Sequence, residues 1–256
     1  MKTIVHRTIL ATSFLLLFAQ ADSTRQVPSQ TEQYLLDSVN RERAAHGLSR
    51  LRWDAALARA ARKHAERMAE ENLLVHQLPD ELTLATRARA VGATVSRVRE
   101  NIASGVDAGL FHNGWMGSPG HRANILDPDV DSVGIAVILS EDNGEFFAVE
   151  DFGQSVKALS VETQEKQVAT LLAARGLRLV NIGNDARNTC ALADGHVGKR
   201  RPRYVAHFET PDLSRLPERL EEALQNSHRY VSAAVGACPP SSSSEFTLYR
   251  IAVLLY

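Results

Sequence analysis

Trp115-Met116-Gly117-Ser118-Pro119-Gly120-His121-Arg122-Ala123-Asn124-Ile125-Leu126 is the stretch from which the rest of the chain is read. Trp115 and Met116 read as the buried end of a helix. Ser118-Pro119-Gly120 stops that helix, because proline disfavours helical geometry in the residue before it and glycine opens turn geometry. His121 follows at once, between a tight turn and the apolar pair Ile125 and Leu126. A ring so placed points into a cleft, or it is a structural histidine satisfied by backbone carbonyls. This stretch alone leaves both readings open.

Upstream, residues 22–29 are polar and read as a flexible linker. Ser29 or Thr31 caps a helix running to about Ala45, with Tyr34, Leu35, Val39 and Ala45 on its apolar side, and His46-Gly47 ends it. Asp54 caps a second helix from about Ala55 to Glu71. There Leu57, Ala60, Ala61, His64 and Met68 recur at helical spacing, so His64 reads as a core-edge histidine and not as a ligand. A short helix is expected within residues 82–91, and another from about Asp107 carries Leu110, Phe111 and Trp115 inward. Arg87, Arg89, Arg97 and Arg99 read as surface charges. Downstream, Asp127-Pro128-Asp129 is a turn, and residues 133–139 and 146–152 are strands joined by the hairpin turn Asp142-Asn143-Gly144. Helices followed by a closing antiparallel hairpin point to an α+β sandwich.

Composition shifts after Gln154. Residues 161–174 and 213–224 read as helices, and residues 177–182, 204–208 and 230–235 as strands. Residues 246–255 are apolar on both faces, as in a strand covered on both sides. The expectation is a second, smaller α+β accessory domain over residues 155–256, with no internal repeat.

At the N-terminus, Lys2 and Arg7 precede the apolar run 9–18, and Ala19-Gln20-Ala21 is a small-x-small cleavage site. This predicts a secretory signal peptide, residues 1–21, too short for a comfortable membrane span, with a retained anchor as the alternative. Its removal leaves 27 basic against 30 acidic residues, a balance of −3, which argues against a general nucleic-acid binder. The local basic run Lys199-Arg200-Arg201-Pro202-Arg203 reads as a solvated loop and not as a phosphate track. Export favours a disulfide between the two cysteines, Cys190 and Cys238, worth about 4 kcal/mol for a loop of roughly 49 residues. Two free buried thiols are the alternative.

Six motifs in order carry a family resemblance: Val39-Asn40-x-x-Arg43-x-x-His46-Gly47-Leu48 with Trp53, Leu74-Val75-His76, Glu100-Asn101-Ile102-Ala103, Ser118 to Leu126 as above, Val133-Gly134-Ile135-Ala136, and Phe152-Gly153-Gln154. Residues 30–154 resemble the CAP superfamily (cysteine-rich secretory proteins, antigen 5 and pathogenesis-related 1 proteins) in its bacterial SCP-like form. Nothing after residue 154 shares in the likeness. The resemblance implies a three-layer α-β-α sandwich with a central cleft, faced in many eukaryotic members by two histidines and two glutamates. The matching positions here are His76, Glu100 and His121. The fourth is Ser118, so one carboxylate is missing and a paired-carboxylate mechanism is disfavoured.

Two imidazoles and Glu100 are enough ligands in number for an open zinc or copper site. Alternatively Glu100 orients a histidine ring by hydrogen bonding. Ser118 as a nucleophile with His121 is weighed against a plain helix-terminal serine, which is favoured. The expected function is that of a secreted or periplasmic, non-enzymatic binding module for an extracellular lipid, cell-envelope component or protein. It needs no cofactor, takes no nucleic acid, and keeps no stable membrane span once the signal is removed. The alternative is a metal-dependent hydrolase or protease using His76, Glu100 and His121, with zinc as the candidate metal.

Overall fold

The computed structural model describes residues 27–225, 229–240 and 244–256. The expected signal segment, residues 1–21, and most of the expected linker lie outside the described residues.

Helix α1 (Gln30–Ala45) starts with a capping box. The Ser29 side chain accepts from the Glu32 N–H, and the Glu32 carboxylate accepts from the Ser29 N–H. Leu35, Leu36 and Val39 form its buried face. Two polar residues on the same helix are also buried and fully used. Asn40 exchanges a pair of hydrogen bonds with the Leu51 backbone, at 3.1 and 2.7 Å. Arg43 donates to the carbonyls of Ser49, Ile125, Asp127 and Val130. Together they tie the end of α1 to distant backbone that would otherwise carry unpaired carbonyls.

The chain continues through β1 (Arg52–Trp53), α2 (Ala55–Glu71), α3 (Leu84–Ala90), β2 (Val95–Gly105), a 3-10 turn (Ala108–Leu110), α4 (Phe111–Gly117), α5 (Pro119–Ile125), β3 (Ser132–Leu139) and β4 (Phe146–Ser155). The strands form one sheet in the order β1-β3-β4-β2, with β1 and β3 parallel and the other pairs antiparallel. Leu35, Val39, Trp115 and Ile125 pack on one face with Val133, Ile135 and Phe152. Ala61, Ala65 and Met68 of α2 pack on the other with Ala136, Phe147 and Val149. This is the expected three-layer sandwich. Helix α2 lies so close to β3 that a Cβ on Gly134 would fall 1.9 Å from the Ala58 nitrogen, so only glycine fits there.

Two local expectations are corrected. Ser118 ends α4 but also begins α5, with Pro119 in its first turn. A proline there loses only an N–H that has no intrahelical partner. His121 therefore sits in the first turn of a helix and not in a turn between helices. Residues 95–105 form an eleven-residue edge strand that takes in Ser104-Gly105, where the sequence suggests a loop. Arg97 and Arg99 do face Asp127 and Asp129 at the surface.

The second half contains α6 (Val161–Ala173), β5 (Arg178–Leu179), α7 (Asp185–Cys190), β6 (Tyr204–Thr210), α8 (Glu218–Gln225), β7 (Ser232–Cys238) and β8 (Tyr249–Leu255). Its sheet order is β5-β7-β8-β6, again with the short strand parallel to its neighbour and the rest antiparallel. This is the connectivity of the first sheet, strand for strand. The helices preceding the short strands end alike, at Ala44-Ala45-His46-Gly47-Leu48 and Ala173-Ala174-Arg175-Gly176-Leu177. In both, the leucine N–H reaches back to the carbonyl five residues earlier and the glycine N–H to the one three earlier. Gly236 repeats the close crossing: a Cβ there would lie 2.1 Å from the Ala186 backbone of α7.

The expectation of no internal repeat is thus corrected: the repeat lies in topology. The side chains hide it. Counted from the short parallel pairs, Glu100 and Asp151 correspond to Val205 and Leu254; counted from the close crossings at Gly134 and Gly236, they correspond to His207 and Ala252, so on either count no carboxylate recurs. Cys190 and Cys238 form a disulfide with a Cα separation of 5.8 Å, joining the end of α7 to the end of β7.

The halves meet at α3. The Glu245 carboxylate accepts from Thr83 and Thr86 at 3.1 and 3.3 Å, and Arg89 donates to the Ser244 carbonyl. The Thr247 N–H donates to the Val95 carbonyl at 2.8 Å. Phe246 packs against Leu57, Ala85, Ala88 and Val95. Among the described residues no helix is long and apolar enough to cross a membrane.

Candidate functional site

His76 follows α2, which ends at Asn72 in left-handed geometry. Its Nδ1 lies 2.8 Å from Oε1 of Glu100, and the imidazole side chain is 59% exposed while the Glu100 side chain is 4% exposed. The carboxylate therefore works from below, and the ring presents Nε2 outward. The other oxygen of Glu100 accepts from Arg87 of α3. Arg87 also donates to Glu81 at 3.1 Å and to the His76 carbonyl at 3.3 Å. His64 is fully buried; its Nδ1 faces Glu81 at 2.8 Å and its Nε2 faces the Val75 carbonyl at 3.0 Å. Arg87 and His64 thus hold the two peptide carbonyls that set the position of His76.

Two sequence expectations fail here. Arg87 is buried and not a surface charge, and His64 belongs to the layer that supports the cleft and not to the core edge. Asp151 completes this layer. It is the cross-strand partner of Glu100, it is fully buried, and neither of its oxygens has a hydrogen-bond partner. Burial, then the charge of Glu100, pushes its carboxyl well up, with Arg87 opposing.

His121 comes from the opposite layer. The Asn101 amide donates to its carbonyl at 3.3 Å and to Glu150 at 3.2 Å, and the Asn124 amide donates to the Glu100 carbonyl and to the Asn101 side chain at 3.1 and 3.0 Å. These contacts lock α5 against the edge strand β2 and account for the asparagines in the Glu100-Asn101 and Ala123-Asn124 motifs. Glu150 is buried beneath them; desolvation pushes its carboxyl up to about 8, with the Asn101 bond opposing. Burial and then the charge of His76 lower the proton affinity of His121, whereas the hydrogen bond to Glu100 raises that of His76. The two histidines are thus electrostatically coupled and driven apart in pKa.

Ser118 is partly exposed, and its side chain makes neither a capping hydrogen bond nor a hydrogen bond to His121. Among the described residues no group of three or more His, Cys, Asp or Glu is arranged to hold a metal ion. Both oxygens of Glu100 are engaged, one by His76 and one by Arg87. Arg87, Asp151 and Glu150 left no sequence signal of their role. The one available hint is that Glu150 and Asp151 fall within a strand whose other residues are nearly all apolar.

The family model described as the cysteine-rich secretory protein family, CAP, matches residues 36–152. The chain is 32% identical over 114 residues to an uncharacterized membrane protein, YlbC, of Bacillus subtilis, covering 44% of this chain and 33% of that one. It is 30% identical over 125 residues to the Bacillus subtilis protein YkwD, covering 47% and 49%. An outer surface protein of Borrelia burgdorferi of known structure is 25% identical, with a TM-score of 0.46, covering 50% of this chain and 96% of that one. The chain thus spans a third to a half of the length of the two Bacillus relatives. Residues 36–152 thus match the CAP family in sequence.

Proposed function

We propose that the chain is an exported, non-enzymatic binding module that holds an extracellular lipid, cell-envelope component or protein segment in the cleft between His76 and His121. What supports this reading is the commitment of Glu100. One oxygen orients the His76 ring and the other neutralises Arg87, so no free carboxylate remains to ligate a metal or activate a water. The outward faces of the two imidazoles are then recognition groups: one ring with raised and one with lowered proton affinity, able to donate to and accept from a polar ligand. No cofactor is needed for this.

The rival is the zinc-dependent hydrolase. The test is to titrate the mature chain with zinc while following the His76 and His121 ring resonances, and to assay peptide and ester hydrolysis with and without metal. The expected result is weak zinc binding and no metal-dependent turnover. Hydrolysis that requires zinc and disappears in the His76→Ala/His121→Ala double variant overturns the proposal.

A further inference from the structure

The connection from the second helix to the edge strand differs between the two halves. In the first half it is residues 72–94 and carries His76 and α3. In the second it is residues 191–203, contains no helix, and carries Lys199, Arg200, Arg201 and Arg203, all exposed. The loop is pinned along its length. His207 Nε2 meets the Gly195 carbonyl at 2.9 Å, and the Val197 N–H donates to the Thr189 hydroxyl at 3.0 Å. The Arg200 guanidinium lies over the Tyr256 ring at 4.0 Å, and the Arg203 N–H donates to the Leu255 carbonyl at 2.8 Å. Arg203 also donates to the Arg229 carbonyl at 3.2 Å, which brings a fifth exposed cation to the same end.

Among the described residues none of these five cations has a carboxylate partner. Elsewhere Arg52, Arg97, Arg175, Arg187 and Arg250 are each paired with an acid. Of the two acids in or beside the loop, Asp194 accepts from the Gly195 N–H and Asp185 lies beneath Gly198. A row of cations along a pinned loop, without carboxylate partners among the described residues and in a chain of net charge −1, concentrates positive potential at one edge of the second sheet. Arginine dominates the row, and its planar fork takes two oxygens of one oxyanion. Tyr256 is buried beneath Arg200, and Tyr204 and Tyr230, beside Arg203 and Arg229, are half-buried and face each other at 6.3 Å, so among the described residues no fully exposed ring is offered there for insertion into a bilayer.

We propose that residues 191–203 form a binding surface for a linear phosphodiester polymer, whose evenly spaced single charges a row of cations can follow. The surface is independent of the His76–His121 cleft.

The test measures binding of the mature full-length chain to a glycerol-phosphate polymer across a salt series. Affinity is expected to fall linearly in a log–log plot, with a slope of about −2 to −4 for three to five contacts. The variant Lys199→Gln/Arg201→Gln/Arg203→Gln keeps the Arg200 anchor. It is expected to lose at least about tenfold in affinity at low salt and to flatten the slope by about 2 to 3. The control Lys166→Gln/Arg215→Gln/Arg219→Gln removes the same charge elsewhere and is expected to bind like the unaltered chain. The proposal is overturned by absence of salt-dependent binding, by equal losses in the two triple variants, or by binding to phosphatidylglycerol vesicles without binding to the polymer.

Discussion

Arg87 of α3 donates to the Glu100 oxygen that His76 does not use, so the outward-facing histidine of the cleft rests on an ion pair buried beneath it. The same guanidinium reaches Glu81 and the His76 carbonyl. Its removal leaves two buried carboxylates without their countercharge. Arg87→Met is therefore expected to destabilise the fold by about 3–5 kcal/mol. Adding Glu100→Gln to it should cost less than the sum of the single changes, because the uncompensated charge is removed as well. Urea unfolding of the two single variants and the double variant measures both.

The pH behaviour of the cleft follows from the same contact. His76 is expected to titrate above an ordinary histidine and His121 below it, as read from their ring resonances. Glu100→Gln should bring the His76 titration down. Because the folded-state value of His76 is raised, its contribution to stability is present at acidic pH and is lost as pH rises through that value. If His76 titrates at or below the ordinary value in the folded chain, the orienting role of Glu100 is wrong.

Glu150 adds a pH dependence of the same sign. Its folded value is about 8 against an ordinary 4.5. The folded chain therefore binds a proton that the unfolded chain releases. Stability from this group is present below about 4.5 and falls as pH rises towards 8. Glu150→Gln keeps an acceptor for Asn101 and removes the titration. Relative to the unaltered chain, it should gain in urea midpoint between pH 5 and pH 8.5. Asp151 titrates in the same direction, so the pH slope is reduced and not abolished.

How much of this was legible depended on whether a residue's role is local. Ser29, Asp54 and the Asp142-Asn143-Gly144 turn act within a few residues, and each does what its neighbours in sequence imply. His76, Glu100 and His121 were legible only as a pattern shared with a family. Arg87 and His64 were misread because helical spacing says nothing of the Glu81 and Glu100 side chains that meet them across other elements. The repeat of topology was invisible for the converse reason. The backbone path is shared at Gly47 and Gly176, but no carboxylate stands in the second sheet where Glu100, Glu150 and Asp151 stand in the first, so the sequences show no likeness.

The last prediction is that the CAP segment folds without the second half. All four strands of its sheet lie before residue 156, and β8 pairs only with β6 and β7, so truncation removes no strand of the first sheet and only the Thr247 bond to the Val95 carbonyl at its edge. What is lost is the grip on α3: the Glu245 bonds to Thr83 and Thr86, and the Phe246 ring against Leu57, Ala85 and Ala88. A seven-residue helix has little stability of its own, and α3 carries Arg87. A chain of residues 22–156 is therefore expected to remain soluble and unfold cooperatively, while amide exchange speeds up in residues 84–90 before it does in α2 or the central strands. Phe246→Ala in the full-length chain should reproduce part of that exchange pattern. An aggregating truncated chain without a cooperative transition would show that the second half completes the core of the first.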